Sequence, residues 1–298
     1  MRDVSIIMAF RAANEYRTAN LLNNLKYLAG IFTHERPEII VVDQDNHRAS
    51  DRPKPVVDAV PHTIHYYHLH HPGLFNKSWA LNVGVRKSTR AILMFIDVDM
   101  VAPPNVYQHS AAMIREGAVQ ALHMYRKFIN TSQADADGFK SVLDQVNGDP
   151  NAAEAWIDHL QSCAVPATGE YAVDRTRLDP HSPLFGGMTA LTREAFDRVG
   201  GCEESFAGWG GEDNAMSFKL QHMVNTASLN TNHVVHLWHP PAEGALLRGT
   251  PHETNWRTYR NFTRQFMNAN GTVQLEKLEA HCQQQALNYG NRKGQALG

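Results

Sequence analysis

Ile92-Leu93-Met94-Phe95-Ile96-Asp97-Val98-Asp99 is the stretch on which the reading of this chain turns. Five apolar residues in a row end in two aspartates one residue apart. Polar Ser88-Thr89-Arg90 precedes the run and Pro103-Pro104 follows it, so it predicts a buried strand. Side chains alternate along a strand, which puts Asp97 and Asp99 on one face and Val98 on the other. Two carboxylates leaving a buried strand are costly without a positive partner. A divalent cation is the simplest such partner. The competing reading is a strand that ends in water, and the pair alone does not separate the two.

Working outward, strand and helix signals alternate. A strand is predicted over 4–10, then a helix capped by Asn14, with Leu21, Leu22, Leu25 and Leu28 on one face and its end near Gly30. A second strand covers 38–42 and runs into Asp43-Gln44-Asp45-Asn46. A loop with one helical turn is expected over 48–61 and a strand over 62–69. A helix follows over 75–87, carrying Trp79, Leu81 and Val83. Beyond the aspartates come a helix over 105–116 and a strand over 118–124. The pattern loosens over 128–182, with turns at Asp137-Gly138 and Asn147-Gly148-Asp149-Pro150 and a helical stretch over 152–160, and reads as an insertion. Gly186-Gly187 then leads into a strand, and Thr192 caps a short helix ending at Gly200-Gly201. The loop Gly208-Trp209-Gly210-Gly211 opens a helix through Met223. A strand over 233–238 ends in His239-Pro240-Pro241, and from His252 the tail is helical, with Trp256, Tyr259, Phe262 and Phe266 at helical spacing.

This order predicts an α/β fold, Rossmann-like, with a mostly parallel central sheet flanked by helices. The expected division is a catalytic domain over 1–240, with the insertion at about 128–182, and a helical extension over 241–298 packed on the core. Ligands bind at the carboxyl ends of such strands, where Asp43, Asp45, Asp97 and Asp99 all fall. No G-x-G-x-x-G follows the first strand and there is no Walker lysine loop.

Composition narrows the function. Twenty-eight basic against 30 acidic residues leave no footprint for nucleic acid. Three cysteines, Cys163, Cys202 and Cys282, lack metal-ligand spacing and suit a reducing cytoplasm. Met1-Arg2-Asp3-Val4 enters a strand at once, so no signal peptide is expected. No apolar run approaches a membrane span, which leaves peripheral membrane contact open.

Gly208-Trp209-Gly210-Gly211-Glu212-Asp213 is the second informative stretch. Three glycines around a tryptophan weaken regular structure but suit a mobile loop that closes an aromatic face over a sugar ring. Glu212 and Asp213 then open a helix, where the dipole favours negative charge and a carboxylate can act as a general base. An acidic helix start after a glycine loop is also common as plain structure. His233, His236 and His239 are three apart, so an unbent strand cannot present all three to one ion. Lys77, near a helix start, is a candidate phosphate partner or simply a solvated lysine.

Four blocks in this order resemble the GT-A glycosyltransferases of the β-1,4-galactosyltransferase type and their bacterial chondroitin-polymerase-like relatives. They are Ile6-Ile7-Met8-Ala9-Phe10-Arg11, Phe75-Asn76-Lys77-Ser78-Trp79-Ala80-Leu81-Asn82-Val83-Gly84, Phe95-Ile96-Asp97-Val98-Asp99, and Phe185-Gly186-Gly187-Met188 leading to Gly208-Trp209-Gly210-Gly211-Glu212-Asp213-Asn214. The resemblance implies a UDP-sugar donor, a glycan or small-molecule acceptor, and Mn²⁺ or Mg²⁺. It implies Asp99 and His236 as metal ligands, with His233 or His239 as a further one. Phe10, Arg11, Asp43, Asp45, Lys77, Asn82 and Asp97 would meet the donor. Trp209, Gly210 and Gly211 would form the closing loop, Glu212 would hold the sugars, and Asp213 would deprotonate the acceptor hydroxyl. Two positions depart from the pattern: Ala9 stands where many members have proline, and Asn214 replaces a usual third acid. A single base implies inversion at the anomeric carbon, with a retaining transferase, a sugar nucleotidyltransferase and a non-catalytic sugar-binding protein as the rivals.

Overall fold

The computed structural model describes residues 1–46, 60, 62–125, 127–145, 150–163, 172–174, 184–229, 233–240 and 250–291. Its strands are β1 (Val4–Phe10), β2 (Glu38–Asp45), β3 (Ile64–His70), β4 (Ile92–Ile96), β5 (Met100–Val101), β6 (Ala121–His123), β7 (Lys127–Asn130), β8 (Ala172–Asp174), β9 (Met188–Thr192), β10 (Thr226–Ser228) and β11 (His233–His236). Its helices are α1 (Glu15–Ile31), α2 (Lys77–Lys87), α3 (Pro104–Arg115), α4 (Gln133–Gln145), α5 (Pro150–Cys163), α6 (Arg193–Arg198), α7 (Glu212–Met223), α8 (Pro251–Arg264) and α9 (Leu275–Ala286).

The seven-stranded sheet runs β10-β6-β9-β4-β1-β2-β3. β1 pairs in parallel with both β2 and β4, while β9 runs antiparallel between β4 and β6. Every residue of β1 is buried, as its unbroken apolar run requires of a strand covered on both faces. Alternation sends Ile6, Met8 and Phe10 into one core with Leu21, Leu25 and Leu28 of α1. Ile7 and Ala9 enter the opposite core with Trp79, Ala80 and Val83 of α2. Tyr259, Phe262, Phe266 and Leu278 from the C-terminal helices complete that second core.

Two expectations need correction. The aspartate stretch is not one strand. β4 stops at Ile96, and Asp97-Val98-Asp99 form a turn closed by the Met100 amide donating to the Asp97 carbonyl at 2.9 Å. The turn passes the chain into a second sheet of order β5-β11-β7-β8. The cause is tertiary: the Asp97 amide extends the β4–β9 ladder by donating to the Gly187 carbonyl at 2.8 Å, whereas the Asp99 carbonyl extends the β5–β11 ladder by accepting from the Leu237 amide at 2.7 Å. The two acids are therefore held by different sheets. Secondly, the turn expected at Asp137-Gly138 lies inside helix α4; the stretch from 128 begins in β7, which pairs in parallel with β11. The helices after it lie on α1, with the Phe139 and Tyr27 rings 5.9 Å apart and Lys26 2.7 Å from Asp144. The expected loop over 48–61 falls, apart from residue 60, outside the described residues, as does the turn at 147–149.

Gly84 shows how closely α2 lies on the sheet. A Cβ there would stand 2.5 Å from Ile7 Cγ2 and 3.4 Å from Val42 Cγ2. Gly84→Val is expected to cost about 1–3 kcal/mol by overpacking. A lowered urea midpoint at unchanged slope would show this; an unchanged midpoint would mean α2 rides higher on β1 than described.

Candidate active site

Asp97, Lys77 and Asp213 form one charged group. Lys77 Nζ lies 2.9 Å from Asp97 Oδ1 and 3.3 Å from Asp213. Lys77 is the first residue of α2, and its cap is firmly set. Asn76 Oδ1 accepts from the Trp79 amide at 2.8 Å, and the Asn76 amide donates to Gln44 Oε1 at 2.6 Å. The Gly187 amide lies 3.3 Å from Asp97 Oδ2. Gly186 and Gly187 have φ of +109° and +67°, and a Cβ at either would run into Asp213 or Tyr125. Glycine is needed there by conformation and by space.

Asp99, His236 and His239 form the second group. One ligand atom from each lies within 4.8 Å of the others. Asp99 Oδ2 is 3.8 Å from His236 Nε2 and 3.2 Å from His239 Nε2. The spacing of three, which a straight strand forbids, is solved by ending β11 at His236. His236 Nδ1 faces Asn130 Oδ1 at 3.0 Å, and His239 Nδ1 donates to the Pro240 carbonyl at 2.9 Å. In the neutral ring both hydrogen bonds leave Nε2 as the lone-pair nitrogen, and in the protonated ring the His239 Nε2–H donates to Asp99. A carboxylate and two oriented imidazoles are a fitting set for a divalent transition ion. The His233 side chain lies outside the described ones.

The sequence reading missed the helix face that holds both groups. Arg17, Asn20 and Asn24 recur at helical spacing along α1. Asn24 Nδ2 donates to the carbonyls of Val98 and Met100 at 3.2 and 2.8 Å, and so grips the aspartate turn. Asn20 Nδ2 donates to the Trp238 carbonyl at 3.1 Å. Arg17 Nη1 donates to Asp99 Oδ2 and lies 3.1 Å from His239 Nε2. The signal was present as three polar residues spaced three and four apart beside the leucines.

The remaining candidates divide. Phe10 and Asp43 are paired neighbours at the carboxyl ends of β1 and β2. Asp43 accepts from the Tyr66 hydroxyl, and Asp45 lies 3.2 Å from His68 Nε2. Arg11 donates to the Gly73 carbonyl at 2.6 Å. Asn82 is fully buried, and its amide bonds to the Cys202 backbone and Glu204, bracing the 202–204 turn. Trp209 is 55% exposed and stacks on His252 of α8, centroids 4.6 Å apart. A Cβ on Gly210 would meet that imidazole.

Charge is distributed unevenly. Burial opposes the Asp99 carboxylate, but Arg17, His236 and His239 outweigh it and hold its pKa well below the usual range. Burial lowers His236, whereas the hydrogen bond with Asp99 raises His239. Burial also works against the Lys77 ammonium, yet Asp213, Asp97 and Glu212 keep it above the usual lysine value. Glu212 is the exception. Burial, then the adjacent Asp213, push its carboxyl up to about 7.

A Rossmann-like sheet, an acid-bearing turn at its carboxyl edge and a glycine loop opening an acidic helix define a glycosyltransferase of the GT-A fold. The chain belongs to glycosyl transferase family 2, which matches residues 5–200. Residues 172–239 also match the family described as N-terminal domain of galactosyltransferase. Among curated proteins, rat β-1,4-galactosyltransferase 4 is 44% identical over 41 residues, 14% of this chain and 12% of that one. Escherichia coli chondroitin synthase is 27% identical over 146 residues, 47% of this chain and 21% of that one. The chain thus spans a minor part of either relative. S. aureus TarS 1-349, solved in complex with UDP-GlcNAc, superposes with a TM-score of 0.58 at 14% identity, covering 96% of this chain and 72% of that one. Longer TarS gives 0.53 at 14% identity, with 95% and 42% coverage. No helix among the described residues is long and apolar enough to cross a membrane.

The raised Glu212 carboxyl has a consequence for stability. Both states hold its proton below the ordinary 4.5, and the folded state alone holds it up to about 7. The stability this group contributes is therefore present at low pH and lost as pH rises through 7. Glu212→Gln removes that loss. Its melting temperature should match the parent at about pH 4 and exceed it at about pH 8, by on the order of 2 kcal/mol in stability. A pH-independent difference would contradict it.

Proposed function

We propose that this glycosyltransferase moves a hexose or N-acetylhexosamine from a UDP-sugar to an acceptor hydroxyl, with a divalent ion and with inversion. The observation that carries the reading is the pairing of two charged groups across one turn: Asp99 with two imidazoles, and Asp97 with Lys77 and Asp213. A nucleotide-sugar donor is supported by the shared fold of the UDP-GlcNAc-bound TarS fragment. Phe10, Arg11, Asp43 and Asp45 are the proposed nucleotide side, and Lys77 and Asp97 the proposed diphosphate and sugar side. Trp209, Gly210 and Gly211 are the proposed closing loop. The catalytic domain is read as 1–240, the 128–182 stretch as the acceptor side, and 241–298 as a packed extension. The buried free thiols of Cys202 and Cys282 fit the cytoplasm as its compartment.

The chemistry follows from charge. Asp99, His236 and His239 would hold the ion, Mn²⁺ before Mg²⁺ because two ligands are nitrogens. When bound, the ion would supply positive charge against the negative charge developing on the departing diphosphate. Lys77, kept protonated by its two carboxylates, adds a second positive charge on the donor side. Asp213 accepts the proton of the acceptor hydroxyl, whose oxygen forms the new bond to the anomeric carbon as the bond to the diphosphate breaks. Glu212, with its raised carboxyl, can donate a hydrogen bond to a sugar hydroxyl. One base serves a single displacement, hence inversion.

UDP release from a panel of UDP-sugars, with and without chelator, tests the reading. Asp99→Asn should abolish metal-dependent release, and Asp213→Asn should lower kcat about 10²–10⁴-fold while UDP still binds. Chelator-insensitive release, or full activity in either variant, would sink it. The anomeric proton of the first-formed product, followed by NMR, should report inverted configuration; retained configuration would make this a retaining transferase of the same fold.

A further inference from the structure

We propose that Arg17 is a tethered cation that competes with the divalent ion for Asp99 and His239, and that it passes to the donor diphosphate when ion and nucleotide bind together. This rests on the metal reading above and adds a residue that reading does not use. Arg17 Nη1 donates to Asp99 Oδ2 and lies 3.1 Å from His239 Nε2. Those are two of the three candidate ligand atoms. His239 Nδ1 is committed as a donor to the Pro240 carbonyl, so in the neutral ring, the form that ligates a metal, Nε2 has one lone pair. That lone pair serves the guanidinium or an ion, and not both.

Arginine keeps its proton under all ordinary conditions, so it can yield the position only by moving. It is free to move. Asn14 fixes the backbone by capping the Arg17 amide at 3.0 Å, while the side chain is 23% exposed. A guanidinium released from Asp99 has a fork of donors that fits phosphate oxygens in pairs. The diphosphate is the anion that arrives with the ion. Nucleotide therefore removes the competitor, and ion and nucleotide bind cooperatively.

The test measures Mn²⁺ binding to the full chain by electron paramagnetic resonance, without and with UDP. Arg17→Ala, and Arg17→Gln which keeps a hydrogen-bonding stem, should bind Mn²⁺ alone about tenfold more tightly than the parent, the effect of removing one contacting like charge. UDP should tighten Mn²⁺ binding by a larger factor in the parent than in either variant. Variants that bind Mn²⁺ no better than the parent, or worse, would overturn the proposal and make Arg17 a brace. A parent and variants that all fail to bind Mn²⁺ even with UDP would instead overturn the metal reading, and this inference with it.

Discussion

A carboxylate 4% exposed, at the seam between two sheets, sets the terms for the rest of the site. Asp99 cannot remain ionised there without positive neighbours, because an unpaired buried charge costs several kcal/mol. Its neighbours come from opposite ends of the chain: Arg17 from the first helix, and His236 and His239 from the end of β11. Meeting that requirement brings the N-terminal helix, the aspartate turn and the small sheet to one point. The backbone follows the same plan. Asn24 holds the carbonyls on either side of Asp99, and Leu237 binds the Asp99 carbonyl itself. Losing the Asp99 charge would therefore loosen a joint between sheets as well as a ligand set.

The sequence was legible where local physics decides and opaque where distant partners do. The run at 92–96 could be read as a strand because its residues are apolar and buried on both faces. Asn14 and Thr192 could be read as caps because capping is local, and both accept the expected amide. The end of β4 could not be read, since Asp99 is drawn into the second sheet by the Leu237 amide, far along the sequence. The same holds for the partners of Asn82, which are Cys202 and Glu204. An unbent strand cannot turn all three of His233, His236 and His239 to one ion. The chain turns after Leu237, where the Trp238 amide donates to Thr131 Oγ1 and the Trp238 carbonyl accepts from Asn20. The polar face of α1 was visible as spacing, but its meaning depended on which loops it meets.

That diversion gives Asp97 and Asp99 different chemistry. On one strand they would share a face and compete for one cation. Across the turn, Asp97 is a third exposed and shares Lys77 with Asp213, whereas Asp99 is buried among Arg17 and the imidazoles. The turn thus keeps a lysine group separate from a histidine group, each with its own acid. Only Val98 separates the acids, so the groups cannot drift apart.

The glycine loop is coupled to this rigid seam through a different layer. Asn255 of α8 donates to the Trp209 carbonyl at 3.2 Å, and His252 lies under the indole while accepting from Trp256 Nε1 at 2.8 Å. The Trp209 ring, more than half exposed, is thus supported from the C-terminal helices and not from the sheet. Gly210 and Gly211, at φ of +104° and +83°, make the junction to Glu212 and Asp213. The loop is also tied to the start of α2, since the Gly208 amide donates to the Phe75 carbonyl at 2.7 Å, two residues before Lys77. Under the proposed roles, the loop that meets the acceptor is therefore linked to the lysine that faces the donor.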